Sequence, residues 1–156
     1  LEKALIIDPN SEEALSLMLK LNPKKAAQIN LENMNVEELF NKCVKLYNDQ
    51  QFEEAFFILK LCVEKHPLEL EFRKLFASVC FELGNFQLAV KHLNVLKGAI
   101  QNKDYVEFNL GVVFFAQEKF LRAKACFKEA FSHTKDKDLS AQCKQFIDVL
   151  EKRGLS

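Results

Sequence analysis

The sequence predicts an all-α fold, an α-solenoid built from antiparallel helix hairpins. Two columns of residues recur with a fixed step of 34 residues: Ala55, Ala89, Ala123 and Phe52, Phe86, Phe120. Between these columns, apolar residues recur at spacings of three and four, which is the period of an amphipathic helix. The 156 residues include only four glycines and three prolines, which disfavours turn-rich β folds. A fixed period of this length is typical of stacked helical repeats.

Three hairpins are predicted in order, over residues 36–69, 70–103 and 104–137. The first helix of the first hairpin covers 36–48, and Asn35 with Glu38 approximates a capping box at its start. The second helix covers 52–65 and ends before Pro67, because a residue that precedes proline disfavours the helical conformation. The connecting turn is short, so the two helices must be antiparallel neighbours.

The second and third hairpins follow the same plan. Helices over 69–83 and 86–97 flank Gly84, which readily adopts the left-handed conformation of a tight turn. The third hairpin is predicted to have helices over 104–117 and 120–133. Each hairpin is therefore one unit of a stack.

A last helix is predicted over residues 138–153, after the period stops. Asp136 and Asp138 can cap its start, and Gly154 ends it. Its apolar positions alternate with charged ones. An end repeat would leave its apolar face in water, and a terminal helix with a polar outer side covers that face. We therefore interpret it as a capping helix.

Residues 1–35 match the repeat only in part, and we interpret them as a degenerate N-terminal repeat. Pro9 corresponds to Pro67, but the interval is ten residues short of two full periods. A short helix is predicted to start at Ser11, and 24–34 fits either another short helix or a loop. The chain opens on a helical pattern without Met, so we expect a fragment of a longer protein.

Composition narrows the classes of partner. The chain has 22 Lys and Arg residues and 22 Asp and Glu residues, so its net charge is near zero. A neutral charge argues against a surface built to bind nucleic acid or an anionic membrane. No apolar run approaches the roughly 20 residues that span a bilayer, so we expect no membrane insertion. The five cysteines form no Cys-x-x-Cys pair and fall mostly at apolar helix positions. That pattern predicts free structural thiols in a reducing, cytoplasmic compartment.

A 34-residue helix-turn-helix with small residues at its eighth and twentieth positions resembles the tetratricopeptide repeat. With the alanine column at position 20, position 8 is Cys43, Ala77 and Gly111, where small side chains let two helices approach. The resemblance covers 36–137 well and 1–35 in part. Pentatricopeptide repeats, which bind RNA, are the nearest competitor. Their usual period is one residue longer, and the neutral charge suits RNA poorly.

The resemblance implies a concave groove lined by the first helix of each repeat. The groove-facing side chains are mostly aromatic or aliphatic in the first and third repeats and more polar in the second. The candidate peptide-binding residues are Phe40, Val44, Tyr47, Lys74, Phe81, Tyr105, Phe108, Asn109, Val112 and Phe115. Aromatic side chains bring large buried areas at low entropic cost. We therefore expect a protein or peptide partner with an apolar or amphipathic segment, and a role as adaptor or scaffold in a multiprotein complex.

Many members of this family bind the carboxyl-terminal tails of Hsp70- or Hsp90-type chaperones through a two-carboxylate clamp. Lys74 and Asn109 match parts of that clamp, but Ser78 stands where it requires asparagine. The predicted capping helix offers no cation at the remaining clamp positions. An anionic terminus would find too few donors, so chaperone tails are not expected as partners.

We find no catalytic, metal-binding or cofactor-binding motif in the sequence. His66, His92 and His133 lie far apart, each near the end of a second helix, where a histidine interacts with the helix dipole. We therefore predict a module without enzymatic activity, cofactor or metal. Two alternatives stay open. One is a structural spacer or self-associating segment with contacts on its convex face or ends, and the other is a regulatory domain of a larger enzyme.

Overall fold

The computed structural model describes residues 31–154. It contains a short 3-10 helix, Leu31–Asn33, followed by seven α-helices. They are α1 Val36–Asn48, α2 Phe52–Lys65, α3 Leu70–Glu82, α4 Phe86–Ala99, α5 Asp104–Ala116, α6 Phe120–His133 and α7 Lys137–Lys152. Within this described range there is no strand, so the all-α prediction is confirmed. The short helix predicted at Ser11 and most of the degenerate repeat lie outside the described residues.

The helix bounds follow the predicted ones closely. Three first helices begin at Val36, Leu70 and Asp104, which are 34 residues apart. The largest difference lies at the end of α4, which continues to Ala99 rather than ending at 97. The last helix begins one residue earlier than predicted, at Lys137. The division into repeats at 36–69, 70–103 and 104–137 stays a prediction.

The three hairpin turns share one backbone geometry. Gln50, Gly84 and Glu118 adopt positive φ angles of 59°, 78° and 61°. In each turn the next amide N–H donates to a carbonyl oxygen five residues back, as Asn85 N does to Cys80 O at 2.8 Å. This is the Schellman arrangement, which satisfies free carbonyl groups at a helix end. A left-handed conformation suits glycine, yet only the middle turn has one.

Side-chain caps start three of the helices: Asn85 Oδ1 accepts from Leu88 N at the start of α4, and the caps of α1 and α7 were anticipated. Glu38 N donates to Asn35 Oδ1 at 2.8 Å, and the Glu38 carboxylate accepts from Asn35 N at 3.4 Å. This reciprocal pair is the predicted capping box. At the start of α7, Asp136 Oδ1 accepts from Asp138 N at 2.9 Å and from Leu139 N. Asp136 is therefore the capping residue.

The chain divides into two compact units, Leu1–Leu88 and Ala89–Ser156, with the boundary inside α4. Unit 1 contains α1, α2 and α3. Its core is aromatic, with the Phe56 and Phe76 ring centroids 5.0 Å apart. Cys43 and Ala55, at the predicted small positions, are fully buried in this unit. Small side chains there let the helices approach closely.

Unit 2 contains most of α4, together with α5, α6 and α7. One core cluster is formed by Ala123, Phe127 and Leu150, so α6 and α7 share it. Gly111 on α5 permits the close approach of α5 to α6, because a Cβ atom at this position would lie 2.7 Å from the Phe127 ring. Ala123, the third alanine of the 34-residue column, is fully buried.

Candidate functional site

The predicted site residues of unit 1 lie on α1 and α3. We call this set the α1–α3 surface: Phe40, Val44, Tyr47, Lys74 and Phe81. Apart from Lys74, which is exposed, these side chains are half-buried. The two helices are neighbours in unit 1, because the Phe40 ring meets Phe72 of α3 edge-on at 6.0 Å.

Tyr47 links three helices of unit 1. Its ring packs edge-on against Phe52 of α2, with centroids 5.4 Å apart. Its hydroxyl donates to the Glu82 carboxylate of α3 at 3.5 Å. Partial burial, with the nearby Glu82 charge, raises the pKa of Tyr47. The phenol therefore stays neutral and keeps its donor over the ordinary pH range.

Polar groups occupy the centre of α3. Lys74 Nζ forms an ion pair with Glu71 Oε1 at 2.8 Å, and both side chains are about half exposed or more, at 47% and 64%. Ser78 Oγ donates to the Lys74 carbonyl oxygen one turn earlier. An ion pair this exposed contributes little to stability, so Lys74 is free to exchange partners.

In unit 2, three of the predicted site residues pack within the protein. Phe108, Val112 and Phe115 contact the core cluster of α6 and α7. Phe146 of α7 is the common partner: its ring lies 5.9 Å from Phe108 and 5.4 Å from Phe115, and it stacks on Phe127 at 4.4 Å. Phe146 of the last helix therefore covers part of this side of α5, and Phe108, Val112 and Phe115 stay half-buried.

The other two predicted residues of unit 2, Tyr105 and Asn109, are exposed. Tyr105 is 52% exposed, and its hydroxyl donates to the Asp136 carboxylate that caps α7. This hydrogen bond raises the pKa of Tyr105 and lowers that of Asp136. It connects the start of α5 to the start of α7.

The far end of α7 is held by charged side chains. The Arg153 guanidinium lies 5.1 Å from the Phe120 ring centroid and 5.9 Å from that of Phe115. Lys124, whose side chain is 8% exposed, pairs with Glu151 of α7 at 3.6 Å. Both ends of α7 are therefore fastened to the hairpin that precedes it.

One recurring contact was not anticipated from the sequence. An aromatic ring near the end of each first helix packs on the ring that begins the second helix, with centroids 5.4 to 5.5 Å apart: Tyr47 with Phe52, Phe81 with Phe86 and Phe115 with Phe120. The same 34-residue step relates the three pairs. Aligning the groove column with the phenylalanine column would have revealed them.

All five cysteines are free thiols. Cys43 and Cys62 are both buried in the core of unit 1. Interaction between these two neighbouring thiols raises the pKa of Cys43 and lowers that of Cys62. Across residues 31–154, no three His, Cys, Asp or Glu side chains are grouped to hold a metal ion. No helix in that range is long and apolar enough to cross a membrane.

No protein-family model matches the sequence, and no curated protein sequence matches it. Solved structures do. The type III secretion chaperone SycD of Yersinia enterocolitica, in complex with a peptide of the translocator YopD, is 12% identical over 76% of this chain and 94% of that chain, with a TM-score of 0.71. A second SycD structure is 13% identical over 81% of this chain and 92% of that chain, with a TM-score of 0.72. At these identities the likeness shows the fold alone, and it confirms the predicted class, an all-α solenoid of helix hairpins.

Proposed function

We propose that this chain is a tetratricopeptide-repeat module that binds an apolar or amphipathic segment of a partner protein. The observation that carries the proposal is the α1–α3 surface of unit 1. There, Phe40, Val44 and Tyr47 of α1 stand beside Phe81 of α3, each half-buried and each leaving part of its apolar surface in water. A covering segment would remove that surface from water, at about 25 cal/mol per Å².

Preorganisation supports the proposal. Phe40, Tyr47 and Phe81 are each held by a ring contact within unit 1. A side chain that is already ordered loses little conformational entropy when a ligand arrives. Aromatic anchors of this kind contribute disproportionately to binding interfaces.

The polar groups on α3 can fix the orientation in which a segment binds to the α1–α3 surface. Lys74 is exposed and shares only a surface ion pair, so it can turn towards an acidic group on the partner. A segment with apolar anchors at helical spacing and one carboxylate would match this arrangement. Lys74 therefore orients the partner segment, and the aromatic side chains supply most of the affinity.

The predicted residues of unit 2 have two roles in this proposal. Phe108, Val112 and Phe115 contact the core cluster of unit 2, so they hold α5 in place within that unit. Tyr105 and Asn109 are exposed and supply hydrogen-bonding groups. The predicted residues of unit 2 thus divide into two exposed residues and three that pack within the unit.

The likeness to SycD is compatible with this function, since one of the SycD structures contains a bound peptide of a partner protein. We propose the corresponding role here: a cytoplasmic adaptor or scaffold without enzymatic activity or cofactor, which recognises protein rather than nucleic acid or membrane. A helical-repeat fold serves many partners, so the partner's chemistry must come from the surface and not from the fold.

Selection from a displayed library of random 16-residue peptides tests the proposal with the full chain as bait. We expect enriched peptides to carry apolar residues three and four positions apart. Val44→Glu should weaken their binding about tenfold, because it places a charge among the aromatic anchors. Leu61→Glu is the matched control, since Leu61 lies on α2 of the same unit and is 40% exposed. Equal binding by the two variants would refute the proposed surface. A stable dimer that loses affinity with Leu61→Glu would favour self-association.

A further inference from the structure

Two stripes of residues adjoin where α6 packs against α7 in unit 2. Each stripe has the three- and four-residue spacing that places side chains on one side of a helix. The stripe of α6 is Leu121, Lys124, Lys128 and Phe131. The stripe of α7 is Lys144, Ile147 and Glu151. An ion pair of 3.6 Å between Lys124 Nζ and Glu151 Oε1 joins the two stripes, and we call them together the α6–α7 face.

The α6–α7 face points away from α5. Phe146, which contacts the rings of Phe108 and Phe115 on α5, stands five residues before Glu151. Five residues correspond to a rotation of about 140° around a helix. The face therefore lies on a different side of α7 from the contacts with α5. It shares no residue with the α1–α3 surface, so an inference from it goes beyond the proposed function.

Large apolar side chains on the α6–α7 face remain in contact with water. Leu121 is 66% exposed and Phe131 is 43% exposed, and Ile147 is half-buried beside the core cluster. Leu121 and Phe131 stand ten residues apart, which is about 15 Å along a helix. A single exposed apolar residue is ordinary, but several along one side of a helix pair match the spaced anchors of an amphipathic helix.

The charges on the face indicate the chemistry of the partner. Lys124 is paired with Glu151, whereas Lys128 and Lys144 are two further cations, both exposed. Asp148 follows Ile147 on the outer side of α7 and does not belong to the stripe. Residues 89–154 contain twelve Lys and Arg residues and eight Asp and Glu residues, so this part of a neutral chain has a net charge of +4. An acidic segment is therefore attracted to the face and a basic one is repelled.

We propose that the α6–α7 face binds an acidic amphipathic helix of a partner protein. The apolar side of that helix would cover Leu121, Phe131 and Ile147, and its carboxylates would pair with Lys128 and Lys144. The alkyl stems of the two lysines add apolar surface while their ammonium groups stay at the rim. A nucleic acid fits less well, because its phosphates would meet two cations set among exposed apolar side chains.

Fluorescence anisotropy with the full chain tests the proposal. The probe is a labelled helical peptide of roughly 18 leucine, alanine and glutamate residues, with leucines three and four positions apart. Its control has lysine in place of every glutamate. We expect saturable binding of the acidic peptide and at least about tenfold weaker binding of the basic one. Equal binding of the two peptides would overturn the proposal, and so would tighter binding of a labelled oligothymidine of similar length.

Exposed-site variants locate the binding. Lys144→Glu should weaken binding of the acidic peptide about fivefold, because an attraction becomes a repulsion. Leu121→Ser should weaken it about threefold through lost apolar contact. Lys103→Glu is the matched control, since it makes the same charge change in the loop before α5, and it should stay within about twofold of the unmodified chain. Equal losses for Lys144→Glu and Lys103→Glu would overturn the proposal, because they would indicate a non-specific charge effect.

Two further measurements separate the α6–α7 face from other occupants and other sites. Val44→Glu on the α1–α3 surface should leave binding of the acidic peptide unchanged, and a loss there would assign the peptide to that surface and overturn the proposal. Sedimentation of the unmodified chain without peptide should show no dimer that Lys144→Glu dissociates. Such a dimer would identify a second copy of the chain as the occupant and would overturn the proposal too.

Discussion

The first and third hairpins carry nearly the same side chains at the predicted binding positions, and the structure treats them differently. Phe40 and Phe108 are equivalent, as are Tyr47 and Phe115. The Phe40 ring packs edge-on against the Phe72 ring of α3. In unit 2, the Phe146 ring of α7 contacts both Phe108 and Phe115 of α5. Equivalent positions therefore make different contacts because the helix packed against them differs.

This contrast teaches that register alone does not make a binding residue. The repeat determines which way a side chain points, and the neighbouring helix determines which side chains it contacts. In unit 2 that neighbour is α7, whose apolar side lies on α6 and whose exposed side carries Lys144, Asp148 and Lys152. A terminal helix of this composition covers apolar surface and presents a polar exterior.

Removing the covering ring should give the largest effect. Phe146→Ala loses contacts with Phe108, Phe115 and Phe127, and we expect a loss of about 3 kcal/mol in the free energy of unfolding. Guanidinium denaturation followed by circular dichroism measures it. Val149→Ala, on the same helix and 44% exposed, should stay within about 0.5 kcal/mol. Similar losses for the two variants would contradict the role assigned to Phe146.

Gly111 of the third hairpin, where the other two hairpins have Cys43 and Ala77, allows a test of helix packing at position 8 of the repeat. Gly111→Ala should destabilise by about 2 kcal/mol, because the new Cβ would overlap the Phe127 ring and overpacking outweighs the better helix propensity of alanine. Adding Phe127→Leu, the residue type found at this column in the other two hairpins, should make the double variant less unstable than the two single losses added together. Strict additivity in denaturant unfolding would show that the two positions are not coupled.

The turns offer a smaller test. Gln50 and Glu118 adopt the left-handed conformation that Gly84 adopts in the middle hairpin. Gln50→Gly and Glu118→Gly should each raise stability by about 0.5 to 1 kcal/mol, because left-handed backbone is strained for residues with a Cβ atom. Gly84→Ala should lower it by about 1 kcal/mol for the same reason. Thermal unfolding of the three variants measures these shifts, and a stabilised Gly84→Ala would contradict this account.

The smallest effect concerns the polar link between α5 and α7. The pKa of Asp136 is lowered first by the hydrogen bond from Tyr105 and then by the Leu139 amide. The folded state therefore binds this proton less readily than the unfolded state. The resulting stabilisation is complete above the unfolded pKa of about 3.9 and is lost as the pH falls through the folded value.

Tyr105→Phe should accordingly lower the urea midpoint slightly at pH 7 and leave it nearly unchanged once the pH is below the folded pKa of Asp136. The matched change in unit 1, Tyr47→Phe, removes a longer hydrogen bond to Glu82 and should have a smaller effect at pH 7. A difference between Tyr105→Phe and the unmodified chain that persisted undiminished in acid would exclude the Asp136 linkage.

Much of the fold was predictable because its signals are local. Helix bounds follow from apolar spacing, the capping box at Asn35 and Glu38 from two residue types three apart, and the middle turn from Gly84. The turns at Gln50 and Glu118 contain no glycine. They could be predicted only because each lies 34 residues from Gly84 in the repeat. The Schellman hydrogen bonds and the aromatic pair beside each turn stabilise this left-handed backbone conformation.

The candidate surfaces were less predictable, because burial depends on residues far apart in the sequence. Phe108 satisfied every rule for a groove residue, yet it contacts Phe127 and Phe146. Nothing in the sequence near Glu107 indicated a buried carboxylate. The ion pair with Lys97 and the neighbouring Cys126 thiol offset the cost of burying its charge. Each of these outcomes depends on contacts between separate helices.

The sequence by itself determined the class of the fold, the register of the hairpins and the residue types available at each position, because hydrophobic period and turn chemistry act over a few residues. Only the tertiary structure decided which of those side chains stay accessible. In unit 1 Phe40 packs against Phe72 of α3, and in unit 2 Phe108 and Phe115 pack against Phe146 of α7, while all of these predicted residues stay partly exposed. The physical reason is that apolar surface is buried by whichever element packs next to it, and that element cannot be identified from local pattern.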